Sequence, residues 1–182
     1  MAYTKTNWTE ETLIDVAKLQ NIEDGVLENS LKHNFKGALA LKTSSQSLTH
    51  NTAENITFQS AEYDEGEFYS AQNPTRLTIP AGVNRVRITA SISFEQSEDN
   101  NGRQARITKN GAYFPGGGSV ETVNYGASTG YSGRLNVTSA VVSVQENDYF
   151  EILARHNKGF GEALNVIANE TWFSIEAVDK EG

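Results

Sequence analysis

The segment Arg85–Phe94 constrains this chain more than any other, because apolar and polar residues alternate along it without a break. Val86, Ile88, Ala90, Ile92 and Phe94 fall on one face, and Arg85, Arg87, Thr89, Ser91 and Ser93 on the other. A period of two over ten residues predicts a strand with one face in a core. Shorter stretches of the same kind are Ala38–Lys42, Asn55–Phe58, Arg76–Ile79, Gln104–Lys109, Arg134–Val144, Tyr149–Arg155 and Glu170–Val178. Turn chemistry separates them. Asn101-Gly102 and Asn110-Gly111 are hairpin dipeptides, since both residues tolerate positive φ. Pro80-Ala81-Gly82, Gly116-Gly117-Gly118, Glu146-Asn147-Asp148 and Asn157-Lys158-Gly159 mark further loops, the three glycines reading as a flexible one. About eight to ten antiparallel strands without an intervening helix predict an all-β sandwich or jelly roll.

The pattern changes near Phe35-Lys36-Gly37, which divides the chain into residues 1–36 and 37–182. Thr9-Glu10-Glu11-Thr12 has the form of a helix start, with Thr9 as cap. Leu13, Val16, Leu19 and Ile22 recur at helical spacing, and a second short run, Val26–Leu31, follows Gly25. A helix this short does not bury its apolar stripe alone, so it is expected to dock on the domain, sister chains or a larger particle.

Composition narrows the function classes. Among 182 residues there is no Cys, which excludes disulfides and thiolate metal sites, and the net charge of −8 argues against a nucleic-acid-backbone binder. No apolar run approaches a membrane span and none follows Met1–Lys5 as a signal-peptide core, so a soluble protein without membrane insertion is expected. His33, His50 and His156 lie in separate segments, and Gly116–Gly118 lacks the Lys of a P-loop. Glu62, Asp64, Glu65 and Glu67 read as a solvated acidic loop, as do Glu95, Glu98 and Asp99. Calcium is weighed for Glu98-Asp99-Asn100-Asn101, yet no cofactor or metal is expected. The expectation is a non-enzyme; a depolymerase using paired carboxylates is the enzymatic alternative. Asp99, Asn100, Tyr113, Phe114, Tyr125 and Tyr131 are candidate ligand-contact residues, because loop aromatics stack on sugars or dock partners.

Two resemblances add to this reading. The region from about Ala38 to Val178 resembles the jelly-roll domain of the complement globular head and tumour-necrosis-factor families. The carrying residues are Ala38-Leu39-Ala40-Leu41, Ile56-Thr57-Phe58, Glu62-Tyr63-Asp64, Leu77 through Ile88 with its Pro80-Ala81-Gly82, Val142 through Ile152, and Trp172 through Val178. Asn147 stands where those families usually have Gly. The resemblance implies a homotrimer that binds rather than catalyses. At the N-terminus, Tyr3-Thr4-Lys5-Thr6-Asn7-Trp8 followed by Leu19-Gln20-Asn21-Ile22-Glu23-Asp24-Gly25-Val26 is similar to the opening of phage tail-fibre, baseplate and minor structural proteins. Lys18-Leu19 replaces the common Asn-Leu. It implies a virion component, assembled in the host cytoplasm, that attaches to other virion proteins through Trp8, Leu13, Val16, Leu19, Ile22, Glu23, Asp24, Gly25 and Val26. A tail or baseplate fibre, a head fibre and a capsid decoration protein all fit. A host surface glycan or protein is the expected outer partner.

Overall fold

A computed structural model of the chain describes residues 15–32, 35–97, 102–123 and 133–178. It divides into two units, an N-terminal one ending at Phe35 and a second running Lys36–Lys180. The first contains one α-helix, α1 (Val16–Lys32). The second contains thirteen strands among its described residues: β1 (Gly37–Leu41), β2 (Gln46–Leu48), β3 (Glu54–Asn55), β4 (Ser60–Glu65), β5 (Arg76–Thr78), β6 (Arg85–Phe94), β7 (Gly102–Lys109), β8 (Ser119–Val123), β9 (Gly133–Thr138), β10 (Val142–Ser143), β11 (Tyr149–His156), β12 (Leu164–Val166) and β13 (Trp172–Ala177). A short 3₁₀ turn, Gly159–Gly161, precedes β12.

The strands form two antiparallel sheets, one of eight and one of five. The pairings are nested: β1 with β13, β5 with β11, β6 with β9, and β7 with β8. β13 also pairs with β6, and β11 with β7. Nested pairing of first with last, second with second-last, and so inward, is the jelly-roll connectivity. The sheets close on a core of Ala38, Ala40, Val86, Ile88, Ala90, Ile92, Phe94, Phe173 and Ile175 from the larger sheet and Leu77, Ala105, Ile107, Phe150, Ile152 and Ala154 from the smaller. Phe58 joins this core against Phe173, with ring centroids 5.5 Å apart.

The alternation in Arg85–Phe94 is realised over the full strand, with all five apolar residues buried. Ser91 and Ser93, on the polar face, are buried too. Ser93 Oγ donates to Glu170 Oε2 at 2.9 Å, and its N–H donates to Thr171 Oγ1 at 3.1 Å. Asn110-Gly111 forms the expected two-residue hairpin, both residues at positive φ, with Lys109 and Ala112 exchanging backbone hydrogen bonds.

Other expectations are corrected. Val16–Lys32 is one continuous helix through Gly25, not two runs; the cost of about 1 kcal/mol for a helical glycine does not break it. Arg134–Val144 is two strands, because Ser139 Oγ takes the N–H of Ile88 at 3.0 Å and interrupts the ladder. Asn55–Phe58 contributes only the end of β3; Ile56 and Phe58 are buried outside the strand. Glu62, Asp64 and Glu65 lie on β4 rather than in a loop, and Asp64 accepts the N–H groups of Phe68 and Tyr69 at 2.8 and 3.1 Å. Gly118 is no flexible spacer, since a Cβ there would collide with the Thr138 carbonyl oxygen. The strand total also exceeds the expectation; β2, β4, β8 and β12 were not foreseen.

Lys42 and Asp148 are each anchored by several polar partners. Asp148 accepts from Gln145 N–H at 2.8 Å and Asn110 Nδ2 at 2.7 Å, and pairs with Lys109 Nζ at 2.7 Å. Burial opposes its charge, yet the hydrogen bonds from Lys109, Asn110 and Gln145 hold its carboxyl below the usual carboxylate range. Asn147 beside it adopts φ 68°, which asparagine tolerates where the resembling families use glycine. Lys42 is 1% exposed and donates to Gln46 Oε1 at 3.2 Å, Thr57 O at 3.0 Å and Thr57 Oγ1 at 3.4 Å. Among the described residues no carboxylate partners it, and burial lowers its pKa from 10.5 to about 8.

The folded state therefore releases the Lys42 proton before the unfolded chain does, and stability gains from this residue as pH rises from about 8 to 10.5. Denaturant unfolding across that window should show up to about 3 kcal/mol more alkaline gain in the native protein than in Lys42→Met. Equal slopes in the two proteins would remove this account of Lys42.

Candidate functional site

The N-terminal helix begins after Asp15, whose Oδ1 accepts the Lys18 N–H at 2.9 Å while its carbonyl accepts from Leu19 N at 3.1 Å. This is an N-cap for the described helix; Thr9, the cap expected from the sequence, lies outside the described residues. The hydrogen bond from the Lys18 side chain holds the Asp15 carboxyl below its ordinary range. Val16 (79% exposed), Leu19, Ile22, Val26 and Leu27 are all exposed. At 100° per residue they span an arc of about 140°, and Glu23 falls inside it. Asp24 is exposed beside this arc, and Gly25 continues the helix. Trp8 and Leu13 lie outside the described residues.

On the body, strand register sorts the residues that face outward. Ala38 and Ala40 point into the core, so Leu39 and Leu41 face out. Leu41 stands opposite Trp172 on β13, and Leu39 opposite Tyr63 on β4. Tyr63 is exposed, and Leu39, Leu41 and Trp172 are half-buried. Four large apolar or aromatic side chains from three neighbouring strands thus share the outer face of the larger sheet.

The smaller sheet carries a different surface. Ala105 and Ile107 are buried, so Gln104 and Arg106 face outward on β7. On β11, Glu151, Leu153 and Arg155 share that face, and Arg76 does so on β5. After the Asn110-Gly111 turn the chain returns over β7. Tyr113 there is 61% exposed, and the Arg106 guanidinium lies 4.9 Å from its ring centroid. Phe114, its neighbour, turns inward and meets Phe150 edge-on at 5.7 Å. A depression of about 340 Å³ is lined by Arg106, Tyr113, Phe114, Gly117, Gly118 and Ser119. Tyr113 and Phe114 therefore part company: Tyr113 is a surface residue and Phe114 a core-capping one. Asp99, Asn100, Tyr125 and Tyr131, with Glu98 and Asn101, lie outside the described residues.

The histidines separated in sequence are partly reunited. His50 and His156 meet edge-on with ring centroids 6.1 Å apart. His156 is buried; its Nδ1 accepts the Lys158 N–H at 3.1 Å and its Nε2 reaches Leu48 O at 3.0 Å, so the ring is neutral and donates through Nε2. Burial lowers its pKa. Glu95, from the second acidic cluster, accepts from Asn165 N–H and Nδ2 at 3.0 and 2.8 Å. Among the described residues no group of three His, Asp or Glu side chains is arranged to hold a metal, and no helix is long and apolar enough to cross a membrane.

No protein-family model matches the chain, and no curated protein matches it in sequence. Among solved structures, that of Eiger TNF from S. frugiperda covers 81% of this chain and 95% of its own, with 7% sequence identity and a TM-score of 0.48. The jelly-roll assignment itself rests on the strand pairings.

The split between the two neighbouring aromatics is measurable. Phe114→Ala should cost about 3 kcal/mol in unfolding free energy, the loss of a ring packed on the core. Tyr113→Ala should stay within about 0.5 kcal/mol, as a surface substitution. Similar losses in both variants would contradict the placement of Tyr113.

Proposed function

We propose that the chain is a non-enzymatic structural component of a phage particle, a trimeric fibre or spike whose N-terminal segment joins it to other virion proteins and whose jelly roll faces outward. The observation that carries this reading is the outer face of the larger sheet, where Leu39, Leu41, Tyr63 and Trp172 lie together. A sheet surface with aliphatic and aromatic side chains at its centre suits self-association, since interface cores are enriched in such residues. The homotrimer is the arrangement implied by the family resemblance of Ala38–Val178, and the closed symmetry lets every copy bury the same patch. The exposed Val16, Leu19, Ile22, Val26 and Leu27 supply the second surface, suited to a groove on the particle. Phage origin rests on the likeness of residues 3–8 and 19–26 to virion protein N-termini. Tail or baseplate fibre is the first choice within the class. A head fibre or a capsid decoration protein without a receptor role follows. In this reading the protein needs no cofactor, binds no nucleic acid and resides in the virion.

Light scattering at micromolar concentration should give three times the chain mass, and Leu41→Glu should weaken association about 30-fold or more without unfolding the domain. A monomeric wild-type chain sinks the trimer. Replacing Val16, Ile22 and Val26 together by Asp should leave the trimer intact while the protein disappears from purified particles, followed by mass spectrometry and immunogold labelling. If the trimer dissociates instead, the helix is an oligomerisation element and not an anchor.

A further inference from the structure

The outer face of the smaller sheet holds two arginines in the same unusual state. Arg76 lies 4.7 Å from the ring centroid of Tyr149, and Arg106 lies 4.9 Å from that of Tyr113. Each Nε is covered and has no hydrogen-bond partner. Neither guanidinium pairs with a carboxylate among the described residues, although the chain carries a net charge of −8. The acidic groups nearby are otherwise engaged: Glu151, opposite Arg76 in register, accepts from Thr75 Oγ1 at 2.7 Å, and Glu121 accepts from Gln104 Nε2 at 3.3 Å. By register the two arginines are separated by β11 and by one residue pair along the strands, about 12 Å between Cα positions.

An acidic protein that leaves two guanidinium groups stacked on tyrosines and without counter-ions presents an anion-selective surface. Stacking holds each planar fork in place, so less side-chain entropy is lost when it grips an anion. The fork matches a carboxylate in two parallel hydrogen bonds. Beside Arg106, the exposed Tyr113 and the depression of about 340 Å³ offer an aromatic wall and a shallow seat for a ring. Two such sites side by side on a flat face suit a polymer that repeats both ring and charge. β7 is paired on both edges, and the other edge of β5 is bridged at Leu77 to Tyr69, so a peptide adding as a strand finds little free backbone there.

We infer that the Arg76/Tyr149 and Arg106/Tyr113 face of the smaller sheet binds a carboxylate-bearing glycan, such as a uronic-acid polymer of a cell envelope. This rests on the reading of the jelly roll as the outward-facing part, and it names the chemistry that part would meet.

The test is calorimetric titration of the full chain with oligogalacturonate, with its methyl-esterified counterpart and with a Glu-rich peptide of equal charge. Oligogalacturonate should bind, more weakly as salt rises, and the neutral ester and the peptide should each bind at least about tenfold more weakly. Arg76→Gln and Arg106→Gln should each weaken oligogalacturonate binding about tenfold, with thermal unfolding unchanged as the check on folding. Arg106→Lys should also weaken it, because charge is kept while the fork and its stacking are lost. The inference is overturned if the wild type binds no oligogalacturonate, if ester or peptide binds as tightly, or if the Arg76→Gln/Arg106→Gln double variant binds like the wild type. These outcomes are read on free protein. Failure here leaves the particle and trimer tests standing, and failure of those leaves the binding result intact.

Discussion

Strand β13 is the constraint on which the rest of the molecule depends. It lies between β1 and β6, pairing with both over five and six residue pairs. The last described strand therefore occupies the interior of the larger sheet and joins β1 and β4 to the rest of it. Its inward residues, Phe173 and Ile175, complete the core against Phe58 and Ile88. Its outward Trp172 joins Leu41 and, through β1, the Leu39–Tyr63 pair. One strand thus closes the fold and contributes to the outward patch of Leu39, Leu41, Tyr63 and Trp172. The same nesting makes most pairings long-range in sequence, which is the topology expected to fold slowly.

Charge is handled in two contrasting ways. Lys42 has three acceptors, and Asp148 gathers a lysine, an asparagine and a backbone N–H at one turn, whereas the buried Arg103 donates only through Nη2, to the Glu95 carbonyl. Unsatisfied burial would cost several kcal/mol at Lys42 or Asp148. On the outer face of the smaller sheet Arg76 and Arg106 rest on aromatic rings, and neither pairs with a carboxylate among the described residues.

Particular elements show what could be read in advance. Arg85–Phe94 was legible to the residue because one face is buried against a second sheet, the situation that forces strict alternation. Asn110-Gly111 was legible because few other pairs accept two successive positive φ values. The three-residue strands β2 and β12 were not, since a segment so short carries too little pattern and is strand only through its pairing, β2 with β12 and β12 with β6 as well. Arg134–Val144 looked continuous because the hydroxyl that interrupts it acts on Ile88, fifty-one positions away. The candidate ligand residues were found by type alone, so Tyr113 and Phe114 were grouped although one is outside and one inside. Arg76 and Arg106 drew no attention, because nothing in a linear chain signals that an arginine will lack a partner.

The sequence by itself determined the all-β class, the main strands, the principal turns and the change of character before Gly37, since these follow from local periodicity and from residues that tolerate particular backbone angles. Only the tertiary structure decided the jelly-roll nesting, which side of each strand meets solvent, and which charges are neutralised. Those depend on groups tens of residues apart being brought within hydrogen-bonding or stacking distance, a relation that no local pattern encodes.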